Sequence, residues 1–215
     1  MSEPSKVPHL VYYADPMCPW CWGFAPVLNR ILLAYAPRLG LRMVMGGLSP
    51  GVTEPLDEYG HGVLLGRWRQ IAGRTGRPLD TAILDRPGFV YDTEPASRAV
   101  VAARLARTDL ALPVFNRVQR AFFEEGLDTT RDATLAPLLA DAGLGASALA
   151  VLTAPETRAA TAADFAATVA AGISGFPYLV AVDARGRRAP IAPGYTRFTN
   201  AQRILDQWLA EAASG

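Results

Sequence analysis

The only two cysteines of this 215-residue chain, Cys18 and Cys21, stand between a short apolar run and a longer amphipathic one. The β-branched and aromatic residues of the apolar run, residues 9–14, predict a buried strand. Residues 22–36 then repeat apolar side chains at helical spacing, and residues 41–45 predict a second strand. The cysteines therefore lie where the first strand of a predicted βαβ unit enters its helix, which limits the chain to an α/β fold.

The strand pattern disappears after this unit. Helices are predicted at about residues 56–73, 95–107, 113–125 and 133–142, separated by glycine, proline and Asp-Thr turn signals. The pattern then changes again, with a helix over 155–171, a strand over 178–182, a weaker edge strand over 188–191 that contains Pro190, and a helix over 200–213. We predict three segments: a βαβ first half (1–48), an all-helical insertion (49–152) and a second half with a helix, a turn and a ββα unit (153–215).

Charge and composition exclude several functional classes. The chain has 21 basic and 20 acidic residues, a formal net charge of +1, and 50% hydrophobic residues, as in a globular protein. No electrostatic footprint for nucleic acid or an anionic membrane is visible. No stretch approaches the roughly 20 apolar residues that a membrane span needs, so no membrane-spanning segment is predicted. Residues 1–8 lack the apolar run of a secretory signal, so a cytoplasmic location is predicted.

The spacing of the cysteines suits thiol–disulfide chemistry, in which the thiolate is the nucleophile. Cys18 is predicted at the N-cap of the helix, where unpaired N–H groups and the helix dipole favour an anion. Pro19 then occupies the first helical position, which tolerates a missing N–H. Cys21 lies one turn on and can donate to the Cys18 thiolate. Cys18 is the predicted attacking residue, and Cys21 the residue that resolves the mixed disulfide.

A metal site is the main alternative for two cysteines at this spacing. Zinc needs four ligands, and the only histidines, His9 and His61, are not at finger-like spacing. A structural disulfide framework would use more cysteines at longer separations. We predict no metal and no organic cofactor, and the strand-to-helix context favours a redox pair.

Three motifs resemble the DsbA-like branch of the thioredoxin superfamily. They are residues 13–24 (YADPMCPWCWGF), residues 121–128 (AFFEEGLD) and residues 172–177 (GISGFP). The sequence is most similar to the FrnE-type group, whose members are regarded as protein-disulfide isomerases. The resemblance implies a thioredoxin-like fold with a large all-helical insertion between the βαβ half and the C-terminal ββα half.

The same resemblance implies roles for residues far from the cysteines. Taken alone, Gly175-Phe176-Pro177 before a strand predicts an ordinary trans proline, because few X–Pro bonds are cis. In the family the corresponding bond is cis, faces the cysteines and lies beside the main chain that pairs with an extended substrate. Phe176 would help to set substrate preference. Trp20 and Trp22 would line an apolar rim around the attacking cysteine, with core packing as the alternative for Trp22.

Two positions depart from the pattern of relatives. Thioredoxins carry an acid six residues before the attacking cysteine, where this chain has Tyr12, so the proton acceptor for Cys21 is unassigned, with water and Asp15 as candidates. Strongly oxidising relatives have a histidine between the cysteines, where this chain has Trp20. Pro19-Trp20 is closer to the Pro-Tyr of glutaredoxins. We therefore expect a reduction potential between that of thioredoxin and that of the strong oxidants.

The favoured function is reduction, oxidation or isomerisation of disulfides in client proteins, with glutathione as a candidate redox partner. In a reducing cytoplasm, net reductase or isomerase activity is favoured. One alternative is a glutathione-dependent isomerase or transferase similar to the kappa-class transferases and hydroxychromene-carboxylate isomerases, which usually have serine where this chain has Cys18. Another is a chaperone-like or redox-sensing module without catalysis. Clients and oligomeric state are not predicted.

Overall fold

The computed structural model describes residues 7–36 and 38–214. Four strands form one mixed sheet in the order β2-β1-β3-β4. The strands are β1 (His9–Ala14), β2 (Gly40–Met45), β3 (Tyr178–Val182) and β4 (Arg188–Pro193). The pair β1–β2 is parallel, whereas β1–β3 and β3–β4 are antiparallel. The predicted α/β thioredoxin-like fold is confirmed.

Eight α-helices surround or extend this sheet in the described part of the chain. They are α1 (Pro19–Tyr35), α2 (Glu58–Thr75), α3 (Glu94–Ala106), α4 (Ala111–Phe123), α5 (Asp132–Leu139), α6 (Ala148–Thr153), α7 (Pro155–Ala170) and α8 (Phe198–Ser214). Short 3₁₀ turns occur at Ala82–Asp85, Thr108–Leu110 and Gly145–Ser147, and a π-helical turn at Ala140–Leu144. Helices α2–α6 follow β2, as the loss of the strand pattern predicts.

The element boundaries differ from the sequence predictions in a few places. Helix α1 begins at Pro19, as the predicted Cys18 cap requires, three residues before the apolar periodicity starts at residue 22. The sequence also predicts that Pro37 and Gly40 end this helix, but Pro37 lies outside the described residues. The six-residue helix α6 was not predicted, since so short an apolar segment has no clear period. Pro190 lies on β4, at the edge of the sheet, where a missing N–H breaks no ladder.

A single hydrophobic cluster joins the sheet to the helices of the middle segment. From the sheet it contains one face of β1, including Leu10 and Tyr12, and from the helices it contains Trp68, Phe122 and Leu139, all fully buried. Met17, Phe24 and Met45 are also fully buried. Because the cluster crosses the predicted segment boundaries, the helices are packed onto the sheet; the division at residues 48 and 152 itself stays a prediction.

Two arginines of α3 add polar links, Arg98 among the helices and Arg104 between the helices and the sheet. Arg98, 2% exposed, donates to Glu94, to Asp132 and to the carbonyl of Leu152. Arg104 contacts both carboxylate oxygens of Asp164 on α7 at 2.8 and 3.0 Å, and donates to the carbonyl of Met43 on β2.

The stretch Asp132–Thr153 has the length and apolar composition of a membrane-crossing helix, with a mean hydropathy of 1.7. The prediction that no stretch has the composition of a membrane span was therefore wrong, because the many leucine and alanine residues of this stretch raise its mean hydropathy. The stretch is interrupted where Gly143 and Gly145 adopt φ of 113° and 55°. A core helix of a soluble protein can have the same length and apolar composition, so these two properties are weak evidence for a membrane span.

Candidate active site

Cys18 caps the helix that carries the cysteine motif. Its backbone is extended (φ −79°, ψ 116°), and its Sγ accepts a hydrogen bond from the Cys21 N–H at 3.4 Å. Pro19 is the first helical residue, as predicted. Both cysteines are free thiols, Cys18 being 2% exposed and Cys21 fully buried. The main-chain donors of this helix terminus therefore stabilise negative charge on Cys18 Sγ.

The proline turn before β3 faces this thiol. The Phe176–Pro177 bond is cis, as the resemblance implies. The Cys18 thiol donates to the Phe176 carbonyl across 3.7 Å, although 158 positions separate the two residues. The Phe176 ring lies directly over Gly46, where a Cβ atom would come within 2.1 Å of it. Only a residue without a side chain fits under the ring at this point.

A buried acid lies beneath the cysteine motif. The Asp15 carboxylate is fully buried and accepts hydrogen bonds from the N–H groups of Met17 and Leu48, each at 2.8 Å. The hydroxyl of Ser97 lies 3.5 Å from it, and the Thr93 hydroxyl is a further donor. Burial raises the pKa of Asp15 to about 6, because these four donors offset only part of the loss of water.

Cys21 is a protonated thiol in these surroundings. Burial first, and then the neighbouring Cys18 thiol, raise the pKa of Cys21 well above its ordinary value. The main-chain amide of Asp15 opposes part of this shift, while the charge of its carboxylate adds to it. The Tyr12 hydroxyl is also buried, has no conventional hydrogen-bond partner among the described residues, and faces Cys21. Burial and Cys21 raise the pKa of Tyr12, so it is a neutral phenol that can donate to a Cys21 thiolate.

An open cleft of about 520 Å³ lies beside the two motifs. Trp20 and Phe176 form part of its wall with Gly175, all three predicted site residues. Tyr195, just after β4, contacts Trp20 with ring centroids 5.8 Å apart. Arg74 of α2 completes the rim. The cleft therefore joins residues from four separate parts of the chain.

Trp22 points away from this cleft into the core. Core packing was the second of the two alternatives that the sequence left open for this residue. It is 3% exposed, stacks on Phe123, and donates from Nε1 to the carbonyl of Pro78 at 2.9 Å. The Arg77 guanidinium covers its other face, 3.2 Å from the ring centroid. Its predicted place in a substrate-binding rim therefore has no support from these contacts.

The histidines lie apart from the cysteines. His61 pairs with Asp85 at 2.8 Å, and His9 contacts the carbonyl of Val7. Within residues 7–36 and 38–214, no group of three or more His, Cys, Asp or Glu side chains is arranged to hold a metal ion.

Several site residues were not found from the sequence. Arg74 and Tyr195 have no motif of their own and reach the cleft only because α2 and the end of β4 fold beside the cysteine helix. The sequence offered Asp15 as a candidate only because it stands close to the cysteines in the chain. Its donors Ser97 and Thr93 come from a distant part of the chain, so nothing in the sequence pointed to them. No local signal marks such residues.

Comparison with known proteins gives the same fold. A family model described as DSBA-like thioredoxin domain matches residues 9–206. The chain is similar to a candidate protein disulfide isomerase from Nitrosomonas europaea, with 36% identity, a TM-score of 0.87, and coverage of 95% of this chain and 98% of that one. It is also similar to the cytosolic disulfide reductase DsbM from Pseudomonas aeruginosa, at 25% identity, a TM-score of 0.75, and coverage of 94% and 98%. That reductase has also been solved with glutathione.

Curated relatives match over shorter stretches. The chain is 23% identical over 125 residues to the ClpXP adapter protein SpxH from Bacillus subtilis, covering 57% of this chain and 40% of that protein. The SpxH protein from Halalkalibacterium halodurans is 24% identical over 149 residues, covering 66% and 48%. The chain thus spans less than half the length of these relatives.

Proposed function

We propose, from the premise that this chain belongs to the family of DSBA-like thioredoxin domains, that it is a thiol–disulfide oxidoreductase acting on protein disulfides through Cys18 and Cys21. One observation carries the proposal: the Cys18 thiol caps α1 and lies 3.7 Å from the carbonyl of the cis turn at Phe176. Helix N–H groups stabilise the thiolate from one side. The main chain of the turn offers an extended substrate a pairing edge on the other.

Each step of the proposed reaction balances in sulfur and electrons. The Cys18 thiolate attacks one sulfur of the client disulfide, which forms a mixed disulfide and releases the other client sulfur as a thiolate. Cys21 loses its proton and attacks Cys18 Sγ, which closes the Cys18–Cys21 disulfide and releases the second client thiolate. Two electrons pass from the cysteine pair to the client. Two molecules of glutathione, as redox partner, would then reduce the pair and leave as glutathione disulfide.

Asp15 is the proposed acceptor of the Cys21 proton. Cys21 is fully buried, so bulk water has no direct access to it, and the Asp15 main chain and carboxylate both influence its thiol. With a pKa of about 6, Asp15 is mostly ionised at neutral pH and can take a proton. Tyr12, neutral at this pH, takes the place of the thioredoxin acid as a donor rather than as a base.

Net reduction or isomerisation in the cytoplasm is the proposed direction. The similarity to a cytosolic disulfide reductase supports it, as does the glutathione in a structure of that relative. Trp20 between the cysteines leads us to expect a reduction potential between those of thioredoxin and the strong oxidants. Equilibration against glutathione buffers of known potential measures it, and a value near either limit would contradict this expectation.

Insulin reduction with glutathione as electron donor tests the proposed activity. We expect Cys18→Ser to fall to the uncatalysed rate, because serine does not attack disulfides. Cys21→Ser, the matched control, should instead accumulate a mixed disulfide with the client, visible by mass spectrometry. Undiminished turnover in Cys18→Ser would refute the proposal. Equal client binding by the wild type and by a variant with both cysteines replaced, without turnover in either, would favour a binding module.

A further inference from the structure

The face of the sheet that points away from helix α1 carries a second, larger cavity. It is an open groove of about 950 Å³ between the sheet and α7, and its floor includes Val11, Val44 and Val182. Because side chains alternate along a strand, these valines point away from Leu10 and Tyr12, which belong to the main core. This back groove shares no lining residue with the cleft beside the cysteines. It is therefore a separate feature of the molecule.

Small side chains opposite the valines leave the back groove open. Ala167 and Ala170 of α7 line it, together with Ala171 just after the helix. A methyl group at each of these positions fills little of the space between the helix and the sheet, whereas a larger apolar side chain would close it. The groove thus offers an unfilled apolar surface of the kind that holds the body of a small molecule.

The charges around the back groove have one sign. Three arginines line it, and no acidic side chain does. Arg104 is already paired with Asp164 at 2.8 Å. Arg188 donates to the hydroxyl of the buried Tyr13 at 2.5 Å, which uses one of its five N–H donors. Within residues 7–36 and 38–214, no carboxylate pairs with Arg188 or with Arg42. Two guanidinium groups are therefore available to an anion.

The strand register places these two arginines on opposite sides of the apolar floor. Arg42 of β2 is aligned with Val11 of β1, and Arg188 of β4 is aligned with Val182 of β3. Strands β2 and β4 are the outer strands of the sheet. A molecule that lies across the valines thus has positive charge on both sides, which favours a negatively charged ligand over a neutral or positive one.

We propose that the back groove is a binding site for a small amphiphilic anion. The valines and the alanines hold its apolar body, and Arg42 and Arg188 attract its negatively charged group. The volume of about 950 Å³ lies within the range of small-molecule sites, roughly 300–1,000 Å³. Because the groove lies on the opposite face of the sheet from α1, binding there needs no reactive cysteine. The site is independent of the proposed oxidoreductase activity.

Isothermal titration calorimetry of the full chain with three probes tests the site. Decanoate combines a carboxylate with an apolar chain, whereas acetate has only the charge and decanol only the chain. We expect decanoate to bind at least about fivefold more tightly than either of the others. Arg42→Gln and Arg188→Gln, which keep part of the apolar stem, should each weaken decanoate binding about threefold and leave decanol binding unchanged. Equal affinity of the wild type for decanoate and decanol would overturn the proposal.

A filled groove provides a second test that removes no charge. We expect Ala170→Phe to abolish decanoate binding, because the ring occupies the space above the valines. The matched control is Ala166→Phe, at an exposed position of the same helix outside the groove, and Arg158→Gln controls for the loss of an exposed α7 charge. Both controls should bind decanoate as the wild type does. Binding that survives Ala170→Phe, or that Arg158→Gln weakens as much as Arg42→Gln does, would contradict the site.

Size-exclusion chromatography tests a second copy of the chain as the occupant of the groove. We expect the wild type and Ala170→Phe to elute at the same volume. A wild-type dimer that Ala170→Phe dissociates would assign the groove to the second copy and overturn the proposal. Decanoate binding should be the same in Cys18→Ser, so a failure of insulin reduction contradicts the proposed function alone.

Discussion

Asp15 is the buried residue that most directly links the cysteine motif to the rest of the molecule. It precedes the motif by three positions, yet its hydrogen bonds reach Leu48 after β2 and Ser97 on α3. The same carboxylate therefore holds the turn before α1 in place and is proposed to receive a proton from Cys21. A group with both roles couples the stability of the site to pH.

The pH dependence of stability follows from the raised pKa of Asp15. Burial raises that pKa from 3.8 to about 6, so between pH 4 and 6 the folded protein binds this proton more tightly than the unfolded chain. The contribution of Asp15 to the free energy of unfolding is thus largest below pH 4 and falls as the pH rises to 6. Relative to Asp15→Asn, we expect the wild type to lose about 2.5 kcal/mol between pH 4 and 7. Urea unfolding at each pH measures this, and a constant difference would contradict it.

Helices α1 and α2 approach each other closely enough to bring Arg74 to the cysteine helix. A Cβ atom at Gly23 of α1 would come within 2.4 Å of the Thr75 Cγ2 atom, in the last turn of α2. The absence of a side chain at Gly23 thus permits the crossing. At the element scale, the cleft depends on this contact as much as on the cysteine motif.

Gly23→Ala tests this contact. We expect it to lower the free energy of unfolding by about 1–3 kcal/mol, because the added methyl group has no room. Gly73→Ala is the matched control: it lies in α2 with open space around its Cα, and alanine should stabilise the helix by about 0.5–1 kcal/mol. Urea unfolding compares the two, and destabilisation of equal size would show that the crossing is not the cause.

At the scale of the whole molecule, one hydrophobic cluster and the Arg104 network join the sheet to the helices, while Arg98 links helices α3, α5 and α6 to one another. Helices that share a core with the sheet have little independent stability. The predicted segments are therefore expected to unfold together, as in a single cooperative unit.

We expect far-ultraviolet circular dichroism and tryptophan fluorescence to report one coincident urea transition. Arg98→Gln leaves Glu94 and Asp132 without their partner and should destabilise both signals together by about 3 kcal/mol. The control Arg107→Gln breaks an exposed pair with Asp109, which should cost at most about 0.5 kcal/mol. Two separate transitions, or a shift of one signal alone, would show that the insertion folds on its own.

The sequence by itself determined the α/β class, the cysteine pair at a strand-to-helix junction and most element positions, because strands, helices and caps depend on local periodicity and on local chemistry. The cis turn at Phe176 was implied only by resemblance. Tertiary structure alone decided that Arg74 and Tyr195 meet Trp20, that Trp22 lies in the core, and that Asp15 is surrounded by distant donors. Such contacts depend on packing between elements far apart in the chain, and no local pattern encodes them.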